Sequence, residues 1–381
     1  MNREIAESAQ YNFFGNEEST SYLSDQLITY IGNKRTLLRF IGLAIDKVQR
    51  RLGKNKLRLL DLFSGSGVVS RYFKQFSDEL VVNDLERYCE VINRCYLANR
   101  GEIDIGLLKT IHAGLTSRLE SEPLVPGIIT RHYAPENDED IREGERVFYT
   151  NRNARYLDTV RGYIEELPRD LQRFFLAPLL SEASIHANTS GVFKGFYKDR
   201  DTGIGKFGGK NGDALFRIKG DILLPFPVFS NFESAVTIHR REANELVEVL
   251  PEMDLAYLDP PYNQHPYGSN YFMLNLLVDY GEPDSISRVS GIPTDWKRSD
   301  FNKSHMSYAA LKRIIENVPA KFILVSFNSE GFIERERMFS LLSRVGSVEI
   351  LETVYNTFRG SRNLRDRSIH VKEYLFLVER K

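Results

Sequence analysis

The stretch that decides the fold reads Arg58-Leu-Leu-Asp-Leu-Phe-Ser-Gly-Ser-Gly67. Its short apolar run is typical of a buried strand, and its two glycines predict a tight turn into a helix over 68–76. Because glycine lets the backbone approach a ligand closely, this turn is a candidate binding loop at the carboxyl end of a sheet. The phosphate-binding fingerprint has a third glycine where this chain has Ser70. The loop therefore favours a ligand without phosphate, whose cationic group would meet Asp61.

Strand and helix signals alternate on both sides of this loop. The run 79–84 predicts a second strand, and 85–99 continues as an amphipathic helix. Further strand signals lie at 235–239, 254–258 and 321–326, and two β-rich runs at 348–355 and 372–378 predict an antiparallel pair. This alternation indicates an α/β protein with a mixed, Rossmann-like sheet and an antiparallel C-terminal hairpin.

The chain of 381 residues is long enough for two domains. Between the second and third predicted strands, residues 103–232 contain an acidic loop, a long helical stretch at 153–187 and a Gly/Lys-rich stretch, without strand alternation. We therefore predict an inserted, largely helical domain at 103–232. Residues 1–102 and 233–381 would form the first domain.

Composition and charge exclude several classes of protein. Cys89 and Cys95 are the only cysteines, so neither a disulfide framework nor a four-ligand zinc site is available, and we predict no metal. The sequence has no signal pattern and no run of about 18 apolar residues, which predicts a cytoplasmic protein without a membrane span. The net charge is −1, but 194–219 carries seven Lys/Arg against three Asp, and 355–372 five against one. Each basic segment is either a solvated surface or a nucleic-acid contact.

A second acid supports the binding loop. Asp84 ends the strand after the Gly loop, about twenty residues on, where doubly wound folds place an acid that accepts hydrogen bonds from ribose hydroxyls. A turn-forming Asp is the alternative. Together the Gly loop and Asp84 predict a nucleoside cofactor.

The sharpest chemical signal is Asp259-Pro-Pro-Tyr262, which directly follows an apolar strand. Its two prolines lack the N–H groups that form the hydrogen bonds of a sheet or a helix. An ordinary loop at the end of a strand is the alternative explanation. A carboxylate and a rigid carbonyl beside an aromatic ring can accept both hydrogens of an amino group while the ring stacks on its base. The amino nitrogen then directs its lone pair at an electrophile, and no covalent intermediate is required.

Four motifs in their order along the chain resemble the Dam-like alpha group of N6-adenine DNA methyltransferases. They are Tyr30-Ile-Gly-Asn-Lys-Arg-Thr-Leu-Leu38, Asp61–Gly67, Asp84 and Asp259–Tyr262. The resemblance implies an S-adenosylmethionine-dependent methyltransferase sheet, with the insertion as the target-recognition domain. It also implies methylation of a flipped adenine in double-stranded DNA. The enzyme would be the modification component of a prokaryotic or phage restriction-modification system, with a cognate restriction endonuclease as partner.

The resemblance also implies roles for individual residues. The cofactor site would contain Tyr30, Lys34, Asp61, Phe63, Gly65, Gly67, Asp84, Glu242 and Asp259, and Lys34 would also support the catalytic loop. The catalytic residues would be Asp259, Pro260, Pro261 and Tyr262. Two positions depart from the familiar pattern: Glu242 stands where the family more often has Asp, and Asn33 is typical of restriction-associated members. The sequence GATC, the target of Dam itself, is therefore not predicted as the recognition site of this chain.

Later segments supply candidates for the active-site rim and for DNA contact. Asn263 and Tyr271 resemble the rim that closes on a flipped base, whereas Phe327 and Asn328 resemble a late family motif or an ordinary turn. Residues 188–198 mix Lys, Gly and aromatic residues, which suits contact with phosphates and stacking beside an extruded base. The Arg cluster at 359–367 suits guanine edges as well as phosphates. The predicted DNA contacts are Lys194, Lys198, Tyr271, Arg359, Arg362 and Arg365, with phosphates preferred to base edges.

Other functions remain open for the same fold. Enzymes acting on cytosine N4 usually carry Ser at the first position of the tetrapeptide, and those acting on protein glutamine carry Asn. Asp259 therefore favours adenine over cytosine N4 or an amino group in RNA or protein. A catalytically inactive DNA-binding subunit is the non-enzymatic alternative, and the intact residues of all four motifs argue against it.

Overall fold

The centre of the protein is a mixed seven-stranded sheet. The computed structural model describes residues 18–209, 212–261, 266–296, 299–328, 331–356 and 370–381. The strands are β1 (Leu57–Asp61), β2 (Ser77–Asn83), β3 (Ala235–His239), β4 (Met253–Leu258), β5 (Ala320–Asn328), β6 (Gly346–Asn356) and β7 (His370–Arg380). Their order in the sheet is β3-β2-β1-β4-β5-β7-β6.

The first five strands in this order are parallel, and β7 runs antiparallel between β5 and β6. All six residues of β4 are buried, which explains why this strand reads as a continuous apolar run. The predicted α/β class and the antiparallel C-terminal pair are confirmed. One boundary is corrected: Phe327 and Asn328 belong to β5, because pairing with Tyr374 and Glu373 of β7 extends the strand beyond its apolar run.

Helices connect the strands and cover both faces of the sheet. They are α1 (Thr20–Ser24), α2 (Leu38–Leu52), α3 (Val68–Phe73), α4 (Arg87–Tyr96), α5 (Ile105–Ser121), α6 (Ile128–Tyr133), α7 (Asn151–Glu165), α8 (Arg169–Ile185), α9 (Leu215–Lys219), α10 (Ala243–Leu246), α11 (Tyr267–Asn270), α12 (Phe272–Asp279), α13 (Ser304–Asn317) and α14 (Arg335–Leu342). Short 3-10 turns lie at 35–37, 74–76, 100–102 and 300–302. The long helical stretch predicted at 153–187 is two helices, because Pro168 precedes α8 and cannot continue α7.

Three apolar clusters hold these layers together. One packs α2 and α3 on one face of the sheet, and a second packs α10, α13 and α14 on the other. The third joins the helices between β2 and β3, α5 to α8, with α4 and α12. The inserted helices therefore share their core with helices that flank the sheet. The division at 103 and 232 stays a prediction.

Three further features bear on the classes of protein considered above. Among the described residues, no helix is long and apolar enough to cross a membrane, and no group of three or more His, Cys, Asp and Glu is placed to hold a metal. Cys89 and Cys95 are both free and buried on α4. Burial raises the pKa of Cys95 to about 12, so this thiol is protonated at neutral pH.

Candidate active site

A cleft opens where the strand order reverses, between β1 and β4. The register pairs Asp61 at the end of β1 with Tyr257 of β4, so the Gly loop and the tetrapeptide leave the sheet side by side. The cleft contains about 1000 Å³ of empty space, part of it open to solvent. Ligands of doubly wound sheets bind at such a switch point.

Backbone N–H groups and one carboxylate shape the cofactor side of this cleft. Gly65 and Gly67 adopt φ of +50° and +76°, values that favour glycine. The Asp84 carboxylate accepts hydrogen bonds from the N–H of Gly65 at 2.8 Å and of Glu86 at 3.0 Å. Burial raises the pKa of Asp84, whereas these backbone donors lower it. Asp84 therefore ties the end of β2 to the Gly loop while it lines the cleft.

Asp61 lies beneath the same loop and is fully buried. Its Oδ2 accepts a hydrogen bond from Ser70 Oγ at 2.6 Å, and within the described ranges its Oδ1 has no hydrogen-bond partner. Burial raises the pKa of Asp61 to about 7. A buried carboxylate oxygen without a partner is costly, and a cationic ligand group in the cleft would satisfy it.

Three tyrosines stack beside the cleft, and two of them, Tyr30 and Tyr267, line it. The Tyr30 ring lies 5.0 Å from that of Tyr267 and 4.8 Å from that of Tyr271, at interplanar angles of 23° and 20°. The N–H of Ile31 donates to Tyr271 Oη at 2.7 Å. Tyr271 is fully buried and braces the N-terminal motif, so its position argues against the predicted DNA contact.

An ion cluster occupies the catalytic side. Lys34 Nζ lies 3.3 Å from Asp259 Oδ1 and 2.8 Å from Glu373 Oε1. The side chains of Lys34 and Glu373 are 3% and 0% exposed, against 17% for Asp259. Burial raises the pKa of Asp259 to about 6, and Lys34 opposes this rise. These contacts give a physical basis for the supporting role predicted for Lys34.

The tetrapeptide is described only in part. Pro260 is buried and Pro261 is half-buried, and both line the cleft beside Asp259. Tyr262 and Asn263, predicted as the stacking ring and part of the rim, lie outside the described residues.

The remaining predicted cofactor residues also reach the cleft. Phe63 is half-buried and makes an edge contact with Phe301, with 5.1 Å between ring centroids. Glu242 directly precedes α10 and lines the cleft. Asn83 positions this segment, because its side chain exchanges hydrogen bonds with the backbone of Arg241.

Sequence reasoning missed several residues that build the site. They are Asn83, Asn93, Ser326 and Glu373. Asn93 Nδ2 donates to Ser64 Oγ at 3.0 Å and so anchors the Gly loop to α4. Glu373 had a usable signal: it shares a face of β7 with Leu375 and Leu377, both fully buried. An acid on a buried face requires a partner.

The basic loop after α8 lies close to the segment that follows the tetrapeptide. Lys194 and Lys198 are exposed, and Lys198 Nζ lies 5.0 Å from the centroid of the Phe196 ring. The N–H of Phe193 donates to the carbonyl of Asn270 at 2.7 Å, which joins this loop to α11. The predicted contacts Arg359, Arg362 and Arg365 lie outside the described residues.

Comparisons with known proteins agree with this geometry. The model of a family described as D12 class N6 adenine-specific DNA methyltransferase matches residues 30–341. The type II methyltransferase M.NlaIII of Neisseria lactamica is 28% identical over 362 residues, covering 93% of this chain and 99% of that protein. The type II methyltransferase M.CviAII of Paramecium bursaria Chlorella virus 1 is 28% identical over 359 residues, covering 92% and 98%. The modification methylase StsI of Streptococcus sanguinis is 28% identical over 370 residues, covering 92% of this chain and 52% of that protein.

Proposed function

We propose that this chain, which belongs to the D12 class of N6 adenine-specific DNA methyltransferases, carries out methyl transfer in the cleft between β1 and β4. The observation that carries this proposal is the meeting of Asp61 and Asp259 at neighbouring strand ends. One is suited to a cationic cofactor group and the other to an amino group. The two substrates would therefore bind side by side.

S-adenosylmethionine is the proposed cofactor, and it would supply a methyl group activated on a sulfonium. Asp61 would accept the ammonium of its methionine part through the buried Oδ1 that lacks a partner within the described ranges. Asp84 would accept hydrogen bonds from its ribose hydroxyls, Glu242 would contact its adenine, and Phe63 would lie under its methionine part. Tyr30 and the loop glycines Gly65 and Gly67 would bound the same site.

Asp259 would hold the target adenine. Its carboxylate and the carbonyl of the Pro260–Pro261 unit would accept the two hydrogens of N6, and Tyr262 would stack on the base. Adenine N6 is a poor nucleophile because its lone pair is delocalised into the ring. Hydrogen bonds to Asp259 strengthen as positive charge develops on this nitrogen, which lowers the barrier to transfer.

DNA recognition would come from residues 103–232 as the target-recognition domain, acting on duplex DNA with the target base flipped. The exposed Lys194 and Lys198 lie on a loop joined to α11, close to the catalytic segment, and are suited to phosphates. Arg359, Arg362 and Arg365 remain proposed contacts from their sequence alone. Relatives named as type II methyltransferases support a modification role beside a restriction endonuclease, in the cytoplasm of a prokaryotic host where its DNA lies.

A methyl-transfer assay tests this proposal. The chain is incubated with tritiated S-adenosylmethionine and, separately, unmethylated bacterial DNA, RNA or protein, and the labelled product is identified by nucleoside or amino-acid analysis. We expect label in N6-methyladenine from duplex DNA. Label in N4-methylcytosine, RNA or protein, or no label at all, would contradict the proposed function.

A further inference from the structure

Glu373 is the one acid of the catalytic ion cluster that no motif predicted. It lies on β7 opposite Asn328 of β5 and is fully buried. Its Oε1 accepts hydrogen bonds from Lys34 Nζ at 2.8 Å and from Ser326 Oγ at 2.7 Å. Its Oε2 is buried and has no hydrogen-bond partner in the described part of the chain. A carboxylate in this setting is expensive to bury, which points to a role beyond packing.

The distances within the ion cluster indicate how Glu373 positions the Lys34 ammonium. Lys34 Nζ is 0.5 Å closer to Glu373 Oε1, at 2.8 Å, than to Asp259 Oδ1, at 3.3 Å. Without Glu373, the ammonium would be able to move closer to Asp259 and tighten the ion pair that it already makes at 3.3 Å. It would then compete with the target amino group for the lone pairs of that carboxylate.

We propose that Glu373 is a positioning residue that holds the Lys34 ammonium, so that Lys34 orients Asp259 without saturating the carboxylate that accepts the amino group. Ser326 fixes the Glu373 carboxylate in this arrangement. Among the described residues, the cluster then contains two acids, Asp259 and Glu373, beside one ammonium. Negative charge at this place is complementary to the positive charge that develops on the attacking nitrogen. The inference rests on the proposed role of Asp259.

Several charged or titratable groups face Asp259. They are Lys34 from the N-terminal motif, Asp61 at the end of β1, Tyr257 on β4 and Glu373 on β7. Burial raises the pKa of Asp259, Lys34 lowers it and Glu373 raises it. Removal of the Glu373 charge should therefore lower the pKa of Asp259 and move the acid limb of the kcat profile to lower pH.

The test compares Glu373→Gln with the wild type in the full chain, using unmethylated bacterial genomic DNA and tritiated S-adenosylmethionine at saturation. Glutamine keeps the size and the acceptor oxygen of the side chain but removes its charge. We expect kcat to fall about tenfold or more, KM for DNA to change little, and the acid limb to move to lower pH. Glu379→Gln is the matched control, since Glu379 lies on the same strand but is exposed and pairs with Arg51. This control should keep the wild-type kcat and profile.

A second variant keeps the proposal falsifiable if Glu373→Gln does not fold. Ser326→Ala leaves both charges in place but removes the hydrogen bond that orients Glu373, so it should lower kcat several-fold in a chain that still folds. A folded Glu373→Gln variant with wild-type kcat and pH profile would overturn the proposal. If that variant is unfolded, wild-type kinetics in Ser326→Ala would overturn it instead. A wild type that forms no N6-methyladenine would contradict the proposed function rather than the role of Glu373.

Discussion

The two sides of the cleft are built in different ways. The centre of the cofactor side is local in sequence, because Gly65 and Asp84 belong to consecutive strand-loop units and the Asp84 carboxylate binds the backbone N–H of Gly65. The catalytic side joins Lys34, Asp259 and Glu373, which come from three distant parts of the chain and meet as buried charges. Loss of one member leaves another buried charge with fewer partners, which costs more than loss of a backbone contact. We therefore expect the catalytic side to show the larger effects of substitution, chiefly in kcat, and the cofactor side to show them in affinity.

The largest effect should come from Asp259→Ala. This change removes the acceptor for the target amino group, so we expect kcat to fall by about a thousandfold or more. The Kd for S-adenosylmethionine, measured by calorimetry, should change only a few-fold, because Asp61 and Asp84 remain in place. Asp46→Ala on the exposed face of α2 is the control, since Asp46 pairs only with Arg50 among the described residues. Methylation near the wild-type rate by Asp259→Ala would show that another group holds the amine.

Asp61→Asn should have the next largest effect, on the opposite side of the cleft. The substitution keeps the size of the side chain and its hydrogen bond with Ser70 but removes the charge that would meet the cofactor ammonium. A charge-assisted hydrogen bond contributes about 1.5–3 kcal/mol, so the Kd for S-adenosylmethionine should rise roughly tenfold to a hundredfold. At saturating cofactor, kcat should stay within a few-fold of wild type. An unchanged Kd would remove Asp61 from the cofactor site, and an equal loss of kcat would mean that the two sides do not act separately.

Alanine substitutions at two glycines should have a smaller effect. They distinguish steric contact in the Gly loop from the strain of a positive φ. Gly65 and Gly53 both have positive φ, +50° and +64°. A Cβ at Gly65 would lie 2.8 Å from the Tyr30 ring, whereas a Cβ at Gly53 meets nothing within 4 Å. Gly53→Ala should lower the free energy of unfolding by about 1 kcal/mol, and Gly65→Ala should lower it by more, because its Cβ would also overlap the Tyr30 ring. Only Gly65→Ala should also weaken S-adenosylmethionine binding, by several-fold. Equal Kd values for the two variants would show that contact with Tyr30 does not shape the site.

The smallest effect concerns pH. Burial raises the pKa of Asp61 to about 7 and that of Asp259 to about 6. A carboxyl whose pKa is higher in the folded chain binds extra protons on folding, so its contribution to stability grows as pH falls from about 7 toward about 4. Activity should fall over the same range, because Asp259 must be ionised to accept both the amino group and its developing charge.

The melting temperatures of the wild type and Asp61→Asn between about pH 8 and pH 5 provide the measurement. Their difference should move in favour of the wild type as the pH falls, since the asparagine side chain of the variant binds no proton. A difference that does not vary with pH would contradict a raised pKa for Asp61.

Family membership confirms the adenine-specific methyltransferase predicted from the four motifs. The sequence by itself determined the strands, because their apolar runs report burial directly: β4 lies at Met253–Leu258 with all six residues buried, where the apolar run 254–258 predicted a strand. It also determined the Gly loop, Asp84 and the tetrapeptide, since each is a short motif whose chemistry depends on neighbouring residues. The two prolines that follow Asp259 were sufficient to identify it as a candidate in the sequence.

Only the tertiary structure decided which distant residues meet. The strand order places β7 beside β5, and this brings Glu373 to Lys34 across 339 residues of sequence. Residue spacing carries no information about such a contact, because the partner strand is chosen by packing of the whole sheet. The same reason accounts for Tyr271. The sequence predicted a DNA contact at this residue, but the packing of the chain buries it fully against Tyr30.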